Sequence, residues 1–73
     1  MAQEIVEVPL TGKIISVNVK LGDEVKEGDT LCLLESMKME NPILAPVDGT
    51  ITQIEIEVEQ IVKPGGIIAI IEY

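Results

Sequence analysis

The sequence predicts an all-β domain, a sandwich or flattened barrel with pseudo-twofold symmetry. Composition is the first reason. Ile (12) and Val (8) fill 20 of the 73 positions, Phe and Trp are absent, and Tyr73 is the sole aromatic residue. Stiff β-branched side chains suit a pleated surface better than a helix. An internal repeat is the second reason. Shifted by 37 positions, Pro9–Glu35 lies without a gap on Pro46–Glu72, and seven of the 27 pairs are identical, Pro9/Pro46, Gly12/Gly49 and Gly28/Gly65 among them.

The elements follow in order, twice. Each copy starts with a strand ending at Val8 or Ala45, then Pro and a Gly-containing turn. A longer alternating strand is expected next. Ile54, Ile56 and Val58 alternate with Glu55, Glu57 and Glu59, and Val17, Val19 and Leu21 keep the same parity. The segments Lys26-Glu27-Gly28 and Lys63-Pro64-Gly65 read as turns or sheet edges, where the N–H that Pro64 lacks is not needed. Each copy closes on a strand apolar at nearly every residue, Leu31–Leu34 or Ile67–Ile71, expected to be covered on both faces. Neither copy can bury its apolar face alone, so residues 1–73 are expected to form one domain. Extended outward, the halves are 2–36 and 39–73. Apart from Met1, only Met37 and Lys38 belong to neither.

Those two residues are the candidate site. The strand through Leu34 and Glu35 must reverse before the strand of Ile43–Ala45, and two spare residues suit a tight antiparallel hairpin. Such tips favour Asn-Gly or Gly-Gly, because both central residues need positive φ. Met-Lys breaks that rule, and local rules tend to break at functional positions. Asn41-Pro42 offers another place for the reversal, but the repeat pairs Val6–Val8 with Ile43–Ala45 and leaves the break at 37–38. Lys26 and Lys63 are repeat mates and read as structural; Lys13 and Lys20 are expected at exposed positions. Lys38 has no mate. Its neighbours Met37 and Met39 have little core within reach at a hairpin tip, which points to a surface that another protein grips.

Glu35-Ser36-Met37-Lys38-Met39-Glu40-Asn41 resembles the attachment motif of biotinyl domains, the biotin carboxyl carrier family, in which the lysine of Met-Lys-Met is biotinylated. The resemblance extends over nearly the whole chain, including the Pro-x-x-Gly opening of each half and the stretch Gly22–Asp29. Ser36 departs from the Ala usual at its position, and no insertion corresponds to the protruding thumb of some bacterial carriers. The resemblance implies a flattened barrel (a barrel-sandwich hybrid) of two four-stranded antiparallel sheets, with the lysine on a hairpin opposite the termini. It also implies biotin as cofactor, covalently bound to Lys38, with Met37 and Met39 as recognition flanks beside Glu35, Ser36 and Glu40. The implied partners are a biotin protein ligase, a biotin carboxylase, and a carboxyltransferase or decarboxylase subunit. The domain then shuttles carboxybiotin and performs no bond chemistry itself.

The rest of the sequence fits a carrier rather than an autonomous enzyme. It has no His, no Arg and a single cysteine, so a nucleophile–base dyad or an ordinary metal site is hard to assemble. Gly65-Gly66 is not followed by a helical pattern and is no phosphate loop. A net charge of −8 disfavours nucleic acid and direct binding to anionic membranes. Met1–Val8 has neither a basic nor a long apolar stretch, so a cytoplasmic location is expected. Cys32, inside an apolar run, reads as a small buried hydrophobe. Two rivals share the architecture. A lipoyl carrier would take lipoate on Lys38, but lipoyl domains flank their lysine with Asp and with Ala or Val. An unmodified interaction module leaves Met37-Lys38-Met39 unexplained.

Overall fold

The computed structural model describes residues 1–73 as eight strands and no helix. They are β1 (Gln3–Glu7), β2 (Gly12–Val17), β3 (Glu24–Val25), β4 (Thr30–Ser36), β5 (Met39–Leu44), β6 (Gly49–Ile54), β7 (Ile61–Val62) and β8 (Ile67–Glu72). Two four-stranded antiparallel sheets result, of order β1-β8-β6-β3 and β5-β4-β2-β7. Replacing each strand by its repeat mate turns one order into the other. Each sheet therefore takes two strands from each half, and neither half owns a sheet.

The core carries the same symmetry. All 15 buried residues are hydrophobic. Ile14 and Ile51, Leu31 and Ile68, Leu34 and Ile71, and Cys32 and Ala69 are repeat mates, and all eight are essentially excluded from water. Full burial of one such aliphatic side chain contributes about 1.5–3 kcal/mol, so this layer between the sheets is what rigidifies both. Gly12 and Gly49 are a further matched pair. A Cβ on Gly12 would fall on the Glu35 carbonyl oxygen, and one on Gly49 on that of Glu72. Only glycine lets β2 and β6 start this close to the ends of β4 and β8.

The sheets remain open at the edge strands β1, β3, β5 and β7, so of the expected sandwich or flattened barrel the architecture is the sandwich-like form. Two expectations are revised. The long alternating strand stops at Ile54, and Val58 and Leu21 are exposed. Beyond Ile54 the chain crosses between sheets: Glu59 N–H donates to Ile14 O, and β7 then pairs with β2. Alternation in a crossing segment does not report a sheet face. Lastly, β4 and β8 are not covered on both faces, since Glu35 and Ile67 are exposed and Leu33 and Ile70 only half-buried. Register shifts at Leu31 (against β5) and Ile68 (against β1) turn consecutive residues inward. A bulge, rather than a second covering layer, explains the unbroken apolar runs.

The body is 36 Å long. Ala2 and Tyr73 exchange two backbone hydrogen bonds at one end. From there β6 starts beside Glu72 and runs away, and its continuation meets Ile14, the partner of Leu34, near the other end. No helix is long and apolar enough to cross a membrane.

Candidate functional site

At the end remote from the termini, β4 and β5 form a hairpin. Its last cross-strand pairs are Leu34↔Asn41, Glu35↔Glu40 and Ser36↔Met39, with Met37 and Lys38 alone in the turn. Asn41 and Pro42 lie inside β5, so the chain does not reverse there. Met37 has φ 53° and Lys38 φ 65°. These left-handed values match a type I′ turn, whose twist agrees with that of the strands it joins. For an L residue the conformation costs roughly 1–2 kcal/mol, and it persists only where the surroundings over-determine it.

The surroundings do so here. β4 is an inner strand, anchored by Leu31, Cys32 and Leu34. The Asn41 side-chain amide donates to Met39 O (3.2 Å) and, more weakly, to Leu34 O (3.4 Å), bracing β5 against β4 beneath the turn. Gly12 lets β2 close in on the Glu35 carbonyl from the other side. The ladder is thus fixed up to Ser36 and Met39, and two residues protrude from it.

The side chains of the tip face solvent. Met37 is 92% and Met39 67% exposed, and Lys38 is exposed between them. The single salt bridge of the molecule joins Lys13 Nζ to Glu59 Oε2 (2.7 Å), so the Lys38 ammonium has no carboxylate partner. Just below the turn, Glu35 and Glu40 face each other, an unfavourable like-charge pair. Lys13 stands opposite Glu35 on the next strand. Its hydrogen bond and attraction to Glu59, and more weakly Glu35, hold its pKa above the ordinary lysine value. Lys13 is thus half-buried and paired rather than simply exposed. None of the three surface hollows, of about 260 to 450 Å³, is lined by a tip residue. The amine is presented rather than enclosed.

The hairpin brings together Glu35, Ser36, Met37, Lys38, Met39 and Glu40, all singled out from sequence. The bracing role of Asn41 and the close approach at Gly12 were not foreseen. The repeat gave a signal for the second, since Gly12/Gly49 is one of its identities. Glu59 has a φ of 77°, and its repeat mate Gly22 one of 88°; that glycine was the clue to a left-handed position. Cys32 is fully buried, which pushes its thiol pKa up to about 11 and makes it inert.

A family model described as "Biotin-requiring enzyme" matches residues 4–71. A protein of Mycobacterium leprae named as a biotinylated protein, the TB7.3 homolog, is 40% identical over 97% of this chain and 99% of its own. The gamma subunit of methylmalonyl-CoA decarboxylase from Veillonella parvula is 50% identical over 68% of this chain, but only 39% of that subunit is covered. Among solved structures, the urea carboxylase of Kluyveromyces lactis superposes with a TM-score of 0.90 over 99% of this chain, at 26% identity and 6% of its own length.

Proposed function

The chain belongs to the family of biotin-requiring enzymes as a biotin carboxyl carrier domain, and from that premise we propose that Lys38 carries the biotin as an amide on its Nζ. The observation that supports this reading is the tip itself. A lysine without an ion-pair partner stands in a left-handed two-residue turn between two exposed methionines. An amine that another protein must acylate has to be reachable from outside. Lys20, Lys26 and Lys63 are exposed and unpaired as well, so what sets Lys38 apart is its place in the turn between the two methionines.

The residues of the chain have separable tasks. Lys38 holds the group, and its conversion to an amide removes the positive charge. Met37 and Met39 offer apolar contact to the proteins that grip the tip. Glu35 and Glu40 surround it with negative charge, Asn41 braces the hairpin, and the aliphatic sandwich keeps everything behind Ser36 and Met39 rigid. When bound, biotin supplies a ureido ring able to take up and give up a carboxyl group. Residues 1–73 then act as one non-catalytic carrier. Tethering gives the group an effective concentration on the order of millimolar at sites within reach. The partners of this reading are a biotin protein ligase, a biotin carboxylase, and a carboxyltransferase or decarboxylase.

The test is the intact mass of the protein co-expressed with a biotin protein ligase, followed by peptide mapping. One biotinyl increment on Lys38, absent from a folded Lys38→Arg variant, is expected. Label retained by that variant, or a lipoyl increment in place of a biotinyl one, overturns the assignment.

A further inference from the structure

Three sulfur atoms in this molecule are accessible: those of Met1, Met37 and Met39, which are 100%, 92% and 67% exposed. The fourth, in Cys32, is fully buried in the core with its thiol held protonated, and does not compete for oxidants. Two of the three accessible thioethers thus flank one lysine. Neither belongs to the hydrophobic core or to the residues packed on it. Their chemistry can therefore change without disturbing the fold.

From this arrangement we propose that Met37 and Met39 form a reversible, peroxide-sensitive modification site that controls loading of Lys38. This rests on the attachment reading above. A thioether lone pair attacks one oxygen of hydrogen peroxide, the O–O bond breaks, and an S–O bond forms. The departing hydroxide takes up the remaining proton and leaves as water. Sulfur loses two electrons and the peroxide gains them. The product is methionine sulfoxide, which methionine sulfoxide reductases return to the thioether using thiol reductant.

Oxidation alters what the tip offers. A flexible apolar flank becomes polar, with a strong hydrogen-bond acceptor that must be desolvated wherever an apolar partner surface closes on it. Met37 sits in the turn itself, while Met39 is the first laddered residue of β5 and is partly shielded. Met37 therefore oxidises first. The buried residues beneath are untouched.

The experiment uses the whole 73-residue chain. It is treated with hydrogen peroxide, the excess is destroyed with catalase, and biotin ligase is added only afterwards. Peptide mapping is expected to place one oxygen on each of Met37 and Met39, with the melting temperature unchanged. The initial rate of labelling should fall about tenfold, the scale of one lost apolar sulfur contact at each flank. A pair of methionine sulfoxide reductases, one for each epimer, should restore it. In Met37→Leu/Met39→Leu, whatever its own rate, the ratio of rates before and after peroxide should stay near one, since only Met1 can then react. Sulfoxide on both tip methionines with an unchanged rate overturns the proposal. So does oxidation of Met1 that spares the tip. Failure of an active ligase to label the untreated protein is a different result: it overturns the attachment reading, before any peroxide is added.

Discussion

Replacing Met37-Lys38 by Asn-Gly should make the domain more stable while abolishing its function. Both native residues occupy the left-handed region, at φ 53° and 65°, and each is held there at a cost of roughly 1–2 kcal/mol. Glycine removes that cost at position 38, and asparagine reduces it at 37. Against this stands about 0.5–1 kcal/mol of backbone entropy that glycine loses on folding. Little else is lost, because Met37 is 92% exposed and Lys38 makes no salt bridge. The net gain is about 1–2 kcal/mol. For a domain of this size, each kcal/mol moves the melting temperature by roughly 4–8 °C, so a rise of roughly 5–15 °C is expected by circular dichroism. Lys38→Arg is the control: it keeps the positive φ and the charge, and should melt with the native protein. An Asn-Gly variant that melts at or below the native temperature refutes the claim that the tip stores backbone strain.

Cys32 predicts a pH dependence. Its thiol ionises near 9 in the unfolded chain and near 11 in the fold, so the unfolded state loses its proton first and stability falls as pH rises from about 9 to 11. Urea titrations at pH 8 and 10.5 should differ by about 2 kcal/mol more in the native protein than in Cys32→Ala; equal differences refute the assignment. Gly12→Ala drives a methyl group into the Glu35 carbonyl and the Leu34 side chain, and a loss of about 1–3 kcal/mol by urea denaturation is expected. Glu59→Gly relieves a left-handed residue and sacrifices only an exposed ion pair. Its urea midpoint should therefore rise, and a fall would mean that the Lys13–Glu59 bridge outweighs the strain.

The repeat made most of the fold legible, because a pseudo-twofold in the sequence becomes one in the sheets. Pairing Val6–Val8 with Ile43–Ala45 was enough to put the reversal at Met37-Lys38 rather than at Asn41-Pro42. Periodicity failed where the backbone departs from a regular ladder. Leu31 and Ile68 sit at bulges, so their apolar runs resembled doubly covered strands. Val58 and Leu21 lie where the chain passes from one sheet to the other, and a two-residue period has no face to report there. Hydrogen bonds between distant residues are likewise invisible to a local pattern. Asn41 illustrates the same limit at the site. Its amide braces Leu34 and Met39 only because β5 has already been laid beside β4.

The paired ends, Ala2 against Tyr73, are the repeat mates of Met39 and Ser36, so the termini are an unclosed copy of the hairpin. A two-residue Asn-Gly link from Tyr73 to Ala2 would turn the chain into a ring without asking either sheet to move. That ring could be reopened at a surface turn such as Pro64-Gly65 to give a circular permutant with the same sandwich. If the link were Met-Lys instead, one ring would hold two lysine tips facing opposite ways. Ligase acting on both would mean that a strained Met-Lys turn on a rigid ladder suffices as a substrate. Ligase acting on one alone would show that it also reads what the other end does not reproduce, such as Met39 and Glu40, whose counterparts there are Ala2 and Gln3, since Glu35 is matched by Glu72.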